Sequence, residues 1–344
     1  MDAYYDTSLA VAALEDHIES RAEAGLPQMF IMTAEMGDRF GLNIHGSPNG
    51  TSKLVRHQNP SGEVEEATIG IQGIVCKTAL PPFSIGIRRG DNRTRHLRQG
   101  ITVTGLGSKH FDQIIANAKH IHTMFSRYTP KGKLKTPPDF IGSYEHSTDK
   151  VKAGYSTISA SNRFFTPKKQ ATDYEEVTIG EEIDPHGVLG NVDTEKWVYT
   201  EDNKVDYYTI GVNKDGETTY TPTLPIVFQV GDIVELQASL LCVPADREHA
   251  LKLVLRSVAL LDGQHTTEAM TKRMTAHMTK QHPPQPSKKL KRSNPYALEA
   301  RGNPIQRRQA RVDVNEARVD VNEAGADVAI NTSDVAGNTE VMEE

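Results

Sequence analysis

The 344-residue sequence has few cysteines and no long apolar run, and each shortage excludes a class of protein. Its two cysteines, Cys76 and Cys242, are too few for a disulfide framework or a four-cysteine zinc site, so we expect two buried thiols in a reducing compartment. No apolar stretch approaches the roughly 20 residues that cross a bilayer. The first residues also lack a basic segment followed by an apolar one. We therefore expect a soluble, intracellular protein without a membrane span.

Recognisable catalytic and metal-binding motifs are also lacking. GxSxG, HExxH and paired-cysteine patterns do not occur, and Thr104 to His110 (TGLGSKH) lacks the spacing of a phosphate-binding loop. His120 and His122 are two residues apart in a predicted helix, so they point to different sides and cannot share a metal. We expect no catalytic residue, no metal and no cofactor. The lack of a recognised motif favours a non-enzymatic protein, and an enzyme of an unrecognised class is the third alternative.

Apolar content is low: 37% of the residues are hydrophobic and the mean hydropathy is −0.50. The shortage is concentrated at the C-terminus. Residues 271–311 carry 11 Lys or Arg and one acid, residues 312–344 carry nine acids and one Arg, and RVDVNEA occurs twice in tandem. Such composition cannot bury a core. It predicts a folded domain over 1–265, with a sub-boundary possible near 130–150, and a disordered tail over 266–344. A short helix over Thr266 to Lys280 is the alternative for the start of that tail.

The longest ordered pattern lies between Pro225 and Gly263. Even positions from Val234 to Cys242 are apolar, and so are the odd positions Leu251, Leu253, Leu255, Ala259 and Leu261. Alternation with period two is typical of strands with one buried face. The pattern predicts two long strands joined by a turn over residues 244–248, with Glu235, Lys252 and Arg256 on the polar face.

The stretch VGDIVELQASLLCVP, followed by LKLVLRSVALLDG, resembles the closing segment of a set of uncharacterised fungal proteins often encoded near mobile elements. The resemblance covers about 40 residues, those over 225–263, and implies no known activity. Its Val-Gly-Asp entry is also similar to strands of small oligonucleotide-binding barrels.

Two helices and further strands are predicted around this hairpin. Thr7 or Ser8 caps a helix to about Ala24, and Ser108 caps a helix to Tyr128. Strands are predicted over 29–33, 40–45, 52–57, 67–77, 101–106, 151–160, 196–200 and 205–212. The expected fold class is α+β and mostly β, with a curved or barrel-like antiparallel sheet, resembling the oligonucleotide-binding barrel, and two packed helices.

Charge is unevenly distributed along the predicted domain. Residues 77–135 hold 12 Lys or Arg against two acids, whereas residues 173–217 hold 13 acids against three lysines. The basic part includes five arginines within eleven residues, Arg88, Arg89, Arg93, Arg95 and Arg98. Arginine grips phosphate with parallel hydrogen bonds, so this loop predicts nucleic-acid binding. The alternative is that the basic and acidic segments pair with each other.

Aromatic residues are only 6% of the chain, but some are interleaved with basic ones. Arg163, Phe164, Phe165 and Lys168 lie in RFFTPKK, a mixture that suits base stacking beside phosphate contacts. The alternative is that both phenylalanines anchor a core. Trp197 lies among acids, which argues against a phosphate contact there.

The favoured function is a non-enzymatic nucleic-acid-binding protein, single-strand selective and sequence tolerant. The alternative is a structural or protein-interaction module whose charged segments pair internally or with partners, the tail included. Lys288, Lys289, Lys291 and Arg292 resemble a nuclear localisation signal, so a nuclear location is expected.

Overall fold

A computed structural model describes residues 1–32, 40–47, 50–57, 64–83, 92–145, 154–171, 174–214 and 217–281. The chain divides into two units, Met1–His282 and Pro283–Glu344, and all described residues belong to the first. The tail predicted to be disordered lies outside the described residues from 282 onward. The alternative predicted for the start of the tail, a short helix over 266–280, is confirmed: a helix runs from Gln264 to Gln281 and buries Ala269 against the domain.

The described residues form three α-helices, α1 (Thr7–Glu23), α2 (Lys109–Ser126) and α3 (Gln264–Gln281). The predicted N-cap of α2 is confirmed, since the Ser108 hydroxyl accepts from the Phe111 N–H at 3.3 Å. The cap of α1 is Asp6 rather than Thr7 or Ser8: its backbone is extended and its carboxylate accepts from the Leu9 N–H at 3.1 Å. Both helices bury one apolar face, as their periodicity predicts.

The strands of the main sheet occupy most of the remaining described chain. They are β1 (Leu42–Gly46), β2 (Ser52–His57), β3 (Val64–Glu66), β4 (Thr68–Ala79), β5 (Arg98–Thr104), β6 (Ile141–Tyr144), β7 (Tyr155–Arg163), β10 (Asp206–Val212), β11 (Thr218–Pro222), β12 (Ile233–Ala245) and β13 (Glu248–Asp262). A separate two-stranded ladder joins β8 (Thr166–Pro167) and β9 (Trp197–Val198).

The main sheet runs in the order β11-β10-β13-β12-β4-β5-β7-β6. Neighbours are antiparallel except β10 and β13, which are parallel. The far end of β12 also pairs with β2, which carries β1 and β3 on its flanks. The predicted class is confirmed: the fold is mostly β, with helices packed on the sheet. Among the described strands the hydrogen-bonded path ends at β11 and β6, so the ladder does not close into a barrel.

The sheet is nevertheless strongly curved. Strands β7 and β13 are separated in the order by β5, β4 and β12, a spacing of about 19 Å in a flat sheet. Asn162 of β7 and Arg256 of β13 both donate to the carbonyl oxygen of Asp202, at 2.7 and 2.6 Å. The five strands therefore bend until the first and last almost meet, as the barrel-like prediction requires.

A β-bulge in β13 contributes to this bend. Gln237 pairs with Ser257 and the next residue, Ala238, pairs with Leu255, so Arg256 is the extra residue. The predicted alternation of buried residues holds up to Leu255 and then changes phase. Val258 is fully buried and Leu261 is only partly buried, contrary to the pattern predicted for this half of the strand.

The strand predicted over 29–33 is wrong, because Met29–Ile31 forms a short 3₁₀ helix under α2. The Asn117 side chain donates to the carbonyls of Met29 and Phe30, at 2.9 and 2.7 Å. A side-chain amide on α2 thus satisfies backbone groups that a strand ladder would otherwise pair.

Glu235 was predicted to lie on the exposed face of β12, but only 2% of it is exposed. Helix α1 covers that face and supplies Arg21, whose Nε and Nη2 lie 2.7 and 2.9 Å from the Glu235 carboxylate oxygens. The amide of Gln72 on β4 donates to the same carboxylate at 2.6 Å. The central strands are therefore buried on both sides, which an alternating sequence does not reveal.

Cys76 and Cys242 are free thiols, half-buried and buried respectively. Burial raises the pKa of Cys76 to about 11, so the thiol form dominates at neutral pH. No helix within the described ranges combines the length and apolar character needed to span a membrane.

Candidate nucleic-acid interface

A cleft of about 860 Å³ lies where β7 approaches β13, and it is called the sheet cleft below. It is lined by residues of β2, β5, β7, β12 and β13, together with neighbouring loops. The polar members of the lining used below are Lys53, Arg98, Asp139, Ser159, Ser161, Asn162, Arg163, Asp202, Lys252 and Arg256. Leu241, Val243, Leu253 and Val254 provide an apolar surface beside them.

Strand register places the cations of the sheet cleft close together. Arg98, the first residue of β5, is the register partner of Arg163, the last residue of β7. Lys252 lies on the face of β13 that alternates with the buried residues Leu251 and Leu253. Curvature of the sheet then brings that face of β13 opposite β7. Positive side chains from three strands consequently share one cleft.

Three of these cations form no ion pair among the described residues, although the Asp139 carboxylate acts on Lys252 from beyond ion-pair distance. Within the described residues, no carboxylate forms an ion pair with Arg98, Arg163 or Lys252. Burial, and after it the charge of Arg163, lowers the pKa of Arg98 below its ordinary value. Burial, and after it the charge of Arg98, lowers the pKa of Lys252. Arg163 thus disfavours the charged form of Arg98, and Arg98 disfavours that of Lys252, which makes the cleft favourable for an anion.

The other charges of the sheet cleft are paired. Lys53 Nζ lies 3.2 Å from Glu66, and Asp139 accepts from Lys135 at 2.6 Å. Arg256 contacts Glu66 and lies 2.9 Å from Asp202 Oδ1. These pairs fix the walls of the cleft and leave its positive charge concentrated at Arg98, Arg163 and Lys252.

The structure brings two of the predicted binding residues, Arg98 and Arg163, together in this cleft. Arg95 and Lys168 are exposed but do not line it. Arg88, Arg89 and the side chain of Arg93 lie outside the described residues. The same holds for the predicted localisation residues Lys288, Lys289, Lys291 and Arg292.

Phe164 and Phe165 cannot serve as stacking platforms, so their predicted role in base contact is wrong. Phe164 is fully buried and Phe165 is 6% exposed, in a cluster with Leu189, Val192 and Tyr199. The Phe164 ring stacks on Tyr199 at 5.5 Å between centroids. The alternative prediction, that both rings anchor a core, is confirmed. The chain after β7 folds back over these rings and removes them from solvent.

The acidic segment does not neutralise the basic one through the ion pairs of the described residues. Lys196 pairs with Asp193 and Lys204 pairs with Glu201 and Asp206, all inside the acidic segment. Asp202 of the acidic segment forms an ion pair with Arg256, which lies on β13 and not in the arginine-rich stretch.

Sequence reasoning missed Lys53, Lys252 and the serines of β7 as lining residues. Lys252 was visible as a polar residue at an alternating position of β13. Ser159 and Ser161 alternate in the same way along β7. Nothing local in the sequence shows that these two strands face one another, because that depends on the bend of the strands between them.

No protein-family model matches the chain, and no curated protein sequence matches it. Among solved structures, gp2.5, a single-stranded DNA-binding protein encoded by bacteriophage T7, is 10% identical, with a TM-score of 0.29. That match covers 59% of this chain and 94% of the phage chain. The single-stranded DNA-binding protein from bacteriophage Enc34 in complex with ssDNA is 12% identical, with a TM-score of 0.29, over 64% of this chain and 95% of that one.

Proposed function

We propose that the sheet cleft binds the backbone of a single-stranded nucleic acid, with little dependence on sequence and without catalysis. The observation that carries the proposal is the group of three uncompensated cations, Arg98, Arg163 and Lys252. Arg163 raises the cost of charging Arg98, Arg98 raises that of charging Lys252, and an anionic ligand would relieve both costs. The phosphates that repeat along a chain can each meet one of these cations, two from the neighbouring strands β5 and β7 and one from β13 across the cleft.

The remaining lining suits a nucleic acid better than an isolated anion. Arg98 and Arg163 can each hold a phosphate through two parallel hydrogen bonds. Ser159 and Ser161 offer hydroxyl donors along the same wall. The apolar residues Leu241, Val243 and Val254 provide a surface against which bases can pack. Contacts of this kind position a strand and carry little sequence information.

The shape of the sheet cleft favours a single strand. A duplex keeps its bases stacked inside, so it cannot place them on the apolar surface of a concave cleft. Asn162 and Arg256 share one carbonyl acceptor, which holds the two walls close together at that end. An unpaired strand can lie between the walls with its phosphates toward Arg98 and Lys252.

We also propose a nuclear location and protein contacts made through the tail. Both proposals rest only on the basic composition of residues 271–311.

The test is fluorescence anisotropy of labelled single-stranded and duplex oligonucleotides titrated with the full chain. Three phosphate contacts predict that the logarithm of affinity falls with the logarithm of salt concentration at a slope of about −2 on single strands. Mixed, purine-rich and pyrimidine-rich strands should bind alike. Absence of binding at low salt, or a clear preference for duplex, would overturn the proposal.

A further inference from the structure

A second cleft, of about 370 Å³, surrounds Trp197 and is called the Trp197 cleft. It lies in the acidic segment and shares none of its lining residues with the sheet cleft. Trp197 is the only tryptophan of the chain. The proposed nucleic-acid function makes no use of this region.

The floor of the Trp197 cleft is apolar and aromatic. Phe165, Leu189, Val192 and Tyr199 belong to the cluster that is buried beneath it. Trp197 is half-buried and is held by its pairing with Pro167 across the β8–β9 ladder. The Trp197 N–H also donates to the Asp193 carbonyl at 3.0 Å. These backbone interactions fix the main chain of Trp197, and its side chain packs against the buried cluster.

The rim of the Trp197 cleft is acidic and uncompensated. Glu176 and Glu181 line it, and neither forms an ion pair within the described residues. Residues 174–195 contain no Lys or Arg, and the next residue, Lys196, lies 3.0 Å from Asp193. A third lining acid, Asp184, is occupied structurally, because it accepts from the backbone N–H groups of Val188 and Leu189 at 2.8 and 2.7 Å.

Tyr199, the tyrosine of the lining, stays neutral at pH 7 and adds no charge to that of the carboxylates. Burial, and after it the charges of Glu201, Asp206 and Glu182, raises the pKa of Tyr199 to about 12. An indole and two unpaired carboxylates that line one cleft attract a cation in two ways, through the face of the ring and through direct charge. A nucleic-acid backbone is repelled for the same reason.

We propose that the Trp197 cleft binds a basic segment of a partner protein. A lysine or arginine side chain would lie against Trp197 with its charge toward Glu176 and Glu181. An apolar neighbour in the same segment would cover the floor. Charge complementarity favours this occupant, because the cleft has an apolar floor and a negatively charged rim. A segment with both basic and apolar residues matches both parts. The proposal does not depend on the function of the sheet cleft.

The single tryptophan supplies a direct experiment. Intrinsic emission of the full chain is followed while a synthetic peptide, acetyl-Arg-Leu-Lys-Arg-Leu-amide, is added at low salt. An acidic counterpart with glutamate in place of each basic residue serves as the control ligand. A saturable change in emission with the basic peptide alone is expected. No change up to millimolar peptide would overturn the proposal.

Paired variants separate the cleft from general attraction to an acidic surface. Glu176→Gln with Glu181→Gln should weaken peptide binding at least about fivefold, since both charges lie on the rim. Glu175→Gln with Glu195→Gln removes the same net charge from exposed residues that do not line the cleft, and should change affinity less than about twofold at moderate salt. Equal losses in the two variants would overturn the proposal.

Discussion

Asn162 on β7 and Arg256 on β13 donate to one carbonyl oxygen, that of Asp202, although four steps of the sheet order separate their strands. Arg256 also binds the Asp202 carboxylate and Glu66 of β3. These four residues form a clasp, the Asp202 clasp, that holds the two walls of the sheet cleft together. The clasp uses one of the cleft's cations for structure and leaves Arg98, Arg163 and Lys252 for a ligand.

The clasp should contribute to stability. Arg256→Met leaves the Glu66 and Asp202 carboxylates without their shared partner, so the free energy of unfolding should fall by about 1–3 kcal/mol. Lys252→Met removes a cation of the same strand that forms no ion pair among the described residues, and should change stability by less than about 0.5 kcal/mol. Urea unfolding of both variants measures the difference. Equal effects would show that the clasp does not hold the walls.

The cations of the sheet cleft should determine affinity for single strands. Arg98→Gln with Lys252→Gln should weaken binding to all sequences alike and make the salt slope shallower by about 1.4, or about 0.7 per lost contact. Arg95→Gln with Lys168→Gln is the matched control, because both residues are exposed outside the lining. Anisotropy titrations at several salt concentrations compare the two variants. If the control loses as much affinity, the interface is the surface predicted from sequence and not the sheet cleft.

Phe164 should matter for folding and not for binding. Phe164→Ala empties a fully buried site beside Tyr199, at a cost of about 3–5 kcal/mol. Phe164→Leu keeps most of the volume and should retain enough stability for a binding assay. Thermal unfolding measures the first effect, and anisotropy with the leucine variant measures the second. A large loss of affinity in a stably folded Phe164→Leu protein would restore the stacking role.

A pH-dependent contact should link α1 to the start of α2. The Ser108 hydroxyl and the Lys109 N–H donate to Glu15 Oε1 at 2.8 and 3.0 Å. The hydrogen bond from Ser108 is the main cause that holds the pKa of Glu15 below its ordinary 4.5. Burial opposes this lowering, and the contact with His110 adds to it. A lowered folded-state pKa means that this stabilisation is present above pH 4.5 and is lost as the pH falls through the folded-state value.

Glu15→Gln should therefore lower stability at pH 7, by about 0.5–1 kcal/mol for an anion at a helix N-terminus. The difference from the unsubstituted chain should shrink as the pH falls below 4.5. Urea unfolding at pH 7 and in acid measures it. Glu23→Gln, at the exposed end of α1, should show no such convergence. A constant difference for Glu15→Gln across this range would mean that the hydrogen bonds, and not the charge, hold the contact.

Local patterns predicted most of the elements correctly. Helix α2 and its Ser108 cap follow from apolar spacing and a capping hydroxyl, both of which lie within one stretch of chain. The β12–β13 hairpin follows from alternation on either side of a turn. The same patterns missed the 3₁₀ helix at Met29, because the Asn117 amide that stabilises it comes from a distant helix.

By itself, then, the sequence determined the mostly β class, the main helices and the uneven distribution of charge. Tertiary structure decided which charges remain free and which rings remain accessible. Arg98 and Lys252 share a cleft only because five strands bend, and Phe164 is buried only because the segment after β7 folds over it. Curvature and burial are sums over contacts between residues far apart in the chain, so no window of sequence contains them.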